Sequence, residues 1–441
     1  MANLQRTLGL RDLTILVYGS VVGSGIFLVP GGILRQVGGS TGLAMLVWVA
    51  GGVLSLLGAL TYGELSAMKP EAGGLYIYIR DCFGRLPAFL YGWTLFLVIA
   101  NGAVATLAVA FSTYLGTVIP LGYWSGKAVA VGMIAVITTV NVRSTRASSD
   151  LMNWTTLGKT VLLLAIAAVL LWRGNHFGQV SASLWPEHVT GETFSNFGLA
   201  MISVLWAYEG WQFATYSAGE AKDPQRNFPR AFLIGVLCLI GVYVLVNLAY
   251  LKALGPEAAA GSNTIAASAI ATVMNPRAST LVSLAILFAV FSAANSVQLT
   301  SPRVFFAMAR DGLFFRRLAE VHPRFHTPAA AVTAGGIWAA VLAFTGTFEQ
   351  LLTYVVFAGW IFYGLAAASI FVYRRRLPEL ERPYRVPGYP WTPLVFVTAA
   401  AALVANTMYS APKTAAVGLG IVLLGLPAYL FLRKTSRTVP S

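Results

Sequence analysis

Long apolar segments separated by short polar loops make up most of the sequence. A helix needs about 20 mostly apolar residues to cross a bilayer, and most of these segments reach that length. The pattern therefore predicts an all-α integral membrane protein with twelve transmembrane helices. Their predicted bounds are 13–36, 43–67, 84–118, 127–142, 151–172, 194–218, 231–252, 279–309, 329–346, 350–373, 392–409 and 413–432.

The composition supports the same class of protein. Of the 441 residues, 57% are hydrophobic and only 10% are charged. A soluble domain would need more polar side chains to cover its surface. The apolar excess is therefore expected to face the lipid bilayer.

Basic residues are distributed unevenly between the two sides of the predicted bundle. Loops on the N-terminal side carry 23 of the 30 lysines and arginines, and loops on the other side carry six. Because cytoplasmic loops are enriched in these residues, both termini are predicted to be cytoplasmic, in a cell inner membrane or plasma membrane. The net charge of +14 does not indicate nucleic-acid binding, since the basic residues are dispersed among short loops.

Two of the predicted helices carry helix-breaking residues near their middle. The first contains Gly23-Ser24-Gly25, and the sixth contains Glu209-Gly210. Glycine weakens a helix and serine competes for backbone hydrogen bonds, so both helices are predicted to be discontinuous. The first and sixth helices correspond to each other in an inverted repeat of five plus five. Discontinuous helices at such positions indicate a substrate site near the membrane midplane.

An unwound helix frees two kinds of backbone group. Its N–H groups attract an anion, and its carbonyl groups accept hydrogen bonds from an ammonium group. A site with both poles suits the zwitterion of an α-amino acid. The alternative interpretation of 23–25 is close helix packing through small residues.

Four stretches of the sequence resemble the amino acid–polyamine–organocation superfamily, and the resemblance extends over nearly the whole chain. They are Gly23-Ser-Gly-Ile-Phe27, the stretch 61–78 with its Gly73-Gly74 pair, the stretch 219–230, and the stretch 292–328, which ends in His326-Thr-Pro328. Each stretch alone is weak, but their order and spacing together are specific. The sequence is most similar to bacterial relatives of the L-type amino acid transporters.

The resemblance implies a bundle of ten helices in two inverted repeats, followed by two extra helices. The first repeat would span 1–172 with helices 1–5, and the second would span 194–373 with helices 6–10. Helices 11 and 12 would lie in 392–432, and 433–441 would form a cytoplasmic tail.

The resemblance also implies which residues bind substrate. Ser24 and Gly25 would offer backbone amides to the substrate carboxylate, with Val21 alongside. Backbone carbonyls of the sixth helix would bind the amine, near Trp206, Ala207 and Glu209. Trp206 stands where the family commonly has a phenylalanine that closes over the substrate from outside, so it is the expected gate. The alternative for Trp206 is simple packing bulk.

Lys159 lies some eight residues inside the predicted fifth helix. A charge at that depth is costly and indicates a function. In sodium-coupled members of this fold a cation links the first and eighth helices, and the ammonium group could take that place. Its expected partners are carbonyls in 19–22 and the hydroxyl of Ser292 or a near neighbour. The alternatives are a lysine that snorkels to the interface, or one that releases its proton and drives proton coupling.

Glu209 departs from the L-type pattern, in which a glycine is usual at this position. Three roles remain open for it: recruitment of cationic side chains, proton binding, or a turn toward a polar cluster with Gln212. Glu64 and Glu220 are predicted to be structural acids that pair with nearby arginines.

These features predict a sodium-independent secondary transporter that exchanges neutral L-amino acids by alternating access. The alternative is a proton-coupled amino acid symporter. A membrane enzyme or a channel is remote, because the motifs contain no nucleophile–base pair, metal cluster or phosphate loop. No cofactor is expected. No obligate protein partner is expected either, since neither Cys82 nor Cys238 falls in an outer loop.

Overall fold

The computed structural model describes residues 8–71, 73–143, 145–186, 188–325 and 327–437. His326 and the last four residues of the predicted tail, 438–441, lie outside these residues. Within them the backbone is almost entirely helical, and β-pairing is limited to one bridge between Leu8 and Ala221.

The described residues form nineteen α-helices, with one π-helical turn at Leu95–Ile99 and two 3₁₀ helices at Trp211–Glu220 and Arg316–Ala319. In chain order the α-helices are α1 (Leu10–Val21), α2 (Gly25–Gln36), α3 (Thr41–Met68), α4 (Leu75–Phe83), α5 (Arg85–Thr94), α6 (Ala100–Gly116), α7 (Tyr123–Arg143), α8 (Thr145–Arg173), α9 (Phe177–Ala182), α10 (Gly191–Ala207), α11 (Pro224–Leu254), α12 (Pro256–Gly261), α13 (Ile265–Val273), α14 (Pro276–Thr300), α15 (Pro302–Arg310), α16 (Ala329–Thr345), α17 (Phe348–Arg376), α18 (Trp391–Ser410) and α19 (Pro412–Arg437).

Most predicted transmembrane positions contain helices of spanning length. Among the described residues, nine helices are long and apolar enough to cross a membrane, and α1 with α2, bent by 45°, makes a tenth. The other two predicted positions contain shorter elements, because α10 ends after 17 residues and continues as a 3₁₀ helix, and α16 has 17 residues. The chain is therefore a multi-pass helical membrane protein.

The interrupted first helix lies inside the bundle. Helix α1 packs against α8, α11 and α14 and against the 3₁₀ helix Trp211–Glu220. Around this centre, α3 packs against α11 and α6 packs against α14. Most residues of the second half of α1 are buried, so the first interruption is enclosed by protein.

Two ion pairs join different helices of the bundle. Glu64, which is fully buried, accepts two hydrogen bonds from Arg374 at 2.9 and 2.7 Å. Glu220 pairs with Arg303 at 3.3 Å, and the neighbouring carbonyl of Glu220 accepts from the amide of Leu8. Both predicted pairs of an acid with an arginine are therefore confirmed.

Candidate functional site

The first interruption leaves polar groups without partners inside the bundle. Helix α1 ends at Val21 and α2 begins at Gly25. Within the described residues, the backbone N–H groups of Ser24, Gly25 and Ile26 make no hydrogen bond. The hydroxyls of Ser20 and Ser24 are buried and also lack a partner there. This end of α2 therefore offers several donors to one small volume.

The second interruption lies directly against the first. Helix α10 ends at Ala207, and the chain turns through Gly210 at φ +128° before the 3₁₀ helix begins. A Cβ atom on Gly210 would lie 2.6 Å from the carbonyl oxygen of Ser20, and one on Gly25 would lie 2.4 Å from Cα of Ala207. Glycine at both positions is therefore what allows the two backbones to approach so closely.

A small cavity lies between the two interruptions. Its volume is about 30 Å³, and its walls include Val21, Ser24, Gly25, Trp206 and Glu209. Ala207 contacts Gly25 at its edge. The N-terminus of α2, which is the positive end of its dipole, and the C-terminus of α10, which is the negative end of its own, therefore meet at one cavity.

Lys159 and Ser292 lie beside the first interruption. The side chain of Lys159 is 3% exposed, and its Nζ donates to the carbonyl oxygen of Gly19 at 2.6 Å. The hydroxyl of Ser292 hydrogen-bonds to that of Thr155, one turn before Lys159 on the same helix. Successive turns of α8 therefore contact α1 and α14, and Ser292 reaches α8 through Thr155.

Glu209 is held from two sides and also lines the cavity. Its Oε1 accepts hydrogen bonds from Nε2 of Gln212 at 2.5 Å and from the hydroxyl of Tyr363. The side chain remains partly exposed, and it lines the cavity together with Trp206, which is 6% exposed. The polar cluster with Gln212 therefore exists, but Glu209 does not turn away from the cavity.

Two tyrosines at this site were missed by reasoning from the sequence. The hydroxyl of Tyr243 on α11 lies 3.0 Å from the carbonyl oxygen of Ala207 and 3.2 Å from that of Val21, so it bridges both interruptions. Tyr363 on α17 contacts Glu209. A tyrosine inside a spanning helix places a polar hydroxyl in an apolar segment, where burial without a hydrogen bond is costly, and that is the signal that could have drawn attention to both.

The walls of the cavity combine polar and apolar groups. Among the described residues, no three His, Cys, Asp or Glu side chains lie close enough to hold a metal ion. The cavity walls are instead backbone groups, serine hydroxyls and one carboxylate among apolar side chains. Such walls suit a small molecule that has both hydrogen-bond donors and acceptors.

Known proteins resemble this chain over nearly its whole length. Residues 8–426 match the amino acid permease family. The chain is 31% identical to the serine/threonine exchanger SteT of Bacillus subtilis (strain 168) over 438 residues, 98% of each chain.

Mammalian transporters are similar to a comparable degree. The chain is 33% identical to the b(0,+)-type amino acid transporter 1 of Oryctolagus cuniculus over 395 residues, 87% of this chain and 79% of the relative. It is 32% identical to the large neutral amino acids transporter small subunit 2 of Homo sapiens over 441 residues, 97% of this chain and 80% of the relative. The chain therefore belongs to the amino acid permease family, within the amino acid–polyamine–organocation superfamily.

Proposed function

We propose that this protein is a sodium-independent secondary transporter that exchanges neutral L-amino acids across a membrane by alternating access. The proposal is supported by the names of its relatives, among them a serine/threonine exchanger and a transporter of large neutral amino acids. It performs no covalent chemistry in this account.

One observation carries the proposal: two helix ends of opposite polarity meet at one cavity. The free amides of Ser24 and Gly25, with the hydroxyl of Ser24, can donate to a carboxylate, and Val21 lies alongside them. The last carbonyls of α10, near Ala207, can accept from an ammonium group. An α-amino acid carries both groups on one carbon atom, so it can bind both helix ends together.

The cavity must widen for transport to occur. A volume of about 30 Å³ is roughly the share of one water molecule in the liquid. An amino acid needs more room, so α10 and the 3₁₀ helix must move relative to α1 and α2 during the cycle. In this account Trp206 is the gate that closes over the bound substrate from outside, and its closure excludes water.

Lys159 is proposed to replace a sodium ion. Its ammonium group is supported in that role by the hydrogen bond to Gly19 and by the contact of the same helix with Ser292 through Thr155. A fixed positive charge there ties α8 to the end of α1 without any bound cation. Transport then has no reason to depend on sodium.

The architecture that fits this mechanism has twelve spans, with α1 and α2 as the first and with α10 and the 3₁₀ helix Trp211–Glu220 as the sixth. We propose two inverted repeats over 1–172 and 194–373, followed by two helices in 392–432 and a short tail at 433–441. Both termini would be cytoplasmic, in a cell inner membrane or plasma membrane. The charge distribution supports this orientation. We propose that no partner subunit is required.

Uptake into proteoliposomes tests the function. Purified protein is reconstituted with or without internal amino acid, and uptake of labelled serine and leucine is measured with sodium or choline outside. We expect uptake only into preloaded vesicles and the same rate in both salts. Uptake into empty vesicles that follows an imposed proton gradient would instead support a proton-coupled symporter, for which the carboxylate of Glu209 beside the cavity is the candidate proton carrier.

A further inference from the structure

A groove lies on the outer surface of the bundle, away from the candidate site. It has a volume of about 480 Å³, within the range of about 300–1,000 Å³ typical of small-molecule pockets. Its residues come from the π-helical turn, the segment 314–318 and the start of α16. They are Phe96, Phe314, Phe315, Arg316, Arg317, Leu318, Ala330 and Ala334. We call it the phenylalanine groove.

The walls of the phenylalanine groove are aromatic and apolar. The rings of Phe96 and Phe314 lie 5.8 Å apart, and those of Phe314 and Phe315 lie 5.3 Å apart. Phe315 is 57% exposed. Apolar walls of this kind favour a hydrocarbon chain over a polar ligand.

The groove continues along one face of α16. Ala330, Ala334, Ile337 and Val341 recur at helical spacing, so they share this face. The two alanines line the groove, while Ile337 is 64% exposed and Val341 is 45% exposed. In a membrane protein an exposed apolar stripe on an apolar helix faces lipid, so the groove opens into the bilayer.

Two arginines lie at one end of the phenylalanine groove. Arg316 and Arg317 are exposed, and within the described residues their guanidinium groups make no hydrogen bond or ion pair. Arg303 and Arg374, by contrast, both pair with acids. The two free arginines lie on the side of the bundle that is rich in basic residues, where an anionic group can reach them.

We propose that the phenylalanine groove binds an anionic phospholipid. One acyl chain lies along the groove and the exposed face of α16, and the phosphate group lies between Arg316 and Arg317. The combination of an apolar channel that is open to the bilayer and two unpaired cations at its end matches the two halves of such a lipid.

The groove shares a helix with the candidate substrate site. Phe96 belongs to the π-helical turn, whose carbonyls accept from Asn101 and from Trp338 at 2.6 and 2.7 Å. The same helix continues as α6, where Ala103 and Leu107 line the cavity between the two interruptions. A lipid that packs against Phe96 therefore stabilises a wall of that cavity indirectly, through α6.

Lipid retention tests the proposal directly and does not depend on the proposed function. Native mass spectrometry of the full-length protein in detergent would measure bound phosphatidylglycerol. We compare the native protein with Arg316→Gln/Arg317→Gln and with Arg226→Gln/Arg230→Gln, which removes two exposed arginines of the same predicted side elsewhere. Each basic side chain near an anionic group raises the binding affinity about fivefold, so the first variant should bind the lipid on the order of 25-fold more weakly. The second should match the native protein.

A variant of unchanged charge tests the apolar half. Ala334→Trp fills the groove and should also abolish retention of phosphatidylglycerol. Equal retention by both arginine variants, or native retention by Ala334→Trp, would overturn the proposal. So would displacement of the lipid by glycerol phosphate, because it would indicate a site for a soluble phosphate.

Transport adds a second readout, which rests on the proposed exchange. Native exchange should be faster in vesicles with phosphatidylglycerol than in neutral vesicles, and Arg316→Gln/Arg317→Gln should lose that difference. A total lack of amino acid exchange by the native protein would refute the proposed function but leave the lipid retention result standing.

Discussion

The two interrupted helices at the centre of this protein are built differently. The first is broken by small residues, and regular α-helix resumes at once on the other side as α2. The second is broken at Glu209-Gly210 and continues in 3₁₀ conformation from Trp211, with a kink at Ser217 where the backbone is not helical. Runs of 3₁₀ helix longer than three or four residues are uncommon, because their hydrogen-bond geometry is poorer.

The side chains that hold the two interruptions in place also differ. The end of α1 is held by the ammonium group of Lys159 on the carbonyl of Gly19, and Thr156 of the same helix packs against Gly19. The second interruption carries the bulky side chains of Trp206 and Glu209, and Glu209 is held by hydroxyl and amide donors. We infer that the first interruption is the fixed pole of the substrate site and that the second is the part that moves.

The contact between the two poles gives the largest expected effect. Gly25→Ala would place a Cβ atom 2.4 Å from Cα of Ala207, and backbone cannot yield there as a flexible side chain does. We expect amino acid exchange to fall on the order of 100-fold. Gly32→Ala on the same helix is the matched control, since its Cβ would meet only the end of Arg35 at 3.8 Å. An equal loss of exchange in both variants would show that the close approach of Gly25 to Ala207 is not the cause.

The anchor of the fixed pole gives the next effect. Lys159→Ala leaves the buried carbonyl of Gly19 unpaired, so exchange should fall about 30-fold while the protein remains folded. Lys127→Ala is the control, because Lys127 also donates to two carbonyls, of Ala343 and Gly346, away from the site. Exchange rates per molecule of reconstituted protein measure both. A native rate for Lys159→Ala would show that the first interruption needs no anchor.

Loss of the side chain that we propose as the gate, Trp206, should have a smaller effect. Trp206→Ala removes a side chain that lines the cavity, and poorer exclusion of water should reduce exchange about tenfold. Trp172→Ala is the control, since Trp172 is 80% exposed. Exchange is compared at equal amounts of membrane protein. Full exchange activity of Trp206→Ala would show that Trp206 contributes only to packing.

The bridge between the two poles should have the smallest effect. Tyr243→Phe removes one hydroxyl from the carbonyls of Val21 and Ala207 and leaves the ring in place. A single neutral hydrogen bond contributes about 1 kcal/mol, so exchange should change about threefold to fivefold. Tyr409→Phe, on a side chain that is 85% exposed, serves as the control. A change as large as that of Lys159→Ala would mean that the hydroxyl holds the fixed pole as well.

The sequence predicted the two interruptions because their causes are local. Glycine and serine in 23–25, and Glu209-Gly210, disfavour a helix wherever they occur, so the breaks could be placed to within a few residues. Lys159 was noticeable because a charge in an apolar run is rare. Tyr243 was not noticeable, because its two partners are distant in the sequence. Ala207 lies 36 residues away and Val21 lies 222 residues away, and only the packing of α11 brings them together. The 3₁₀ conformation of 211–220 also depends on packing that no local pattern reports.

The central claim is that the two interruptions bind the two charged ends of one amino acid. Competition against exchange of labelled serine tests it most directly, with L-serine, its amino alcohol and its deaminated hydroxy acid as competitors. Each molecule that lacks one charged group should compete on the order of 100-fold more weakly than L-serine, because one helix end is left unpaired. Competition by the amino alcohol as strong as that by L-serine would contradict the assignment of the carboxylate to Ser24 and Gly25.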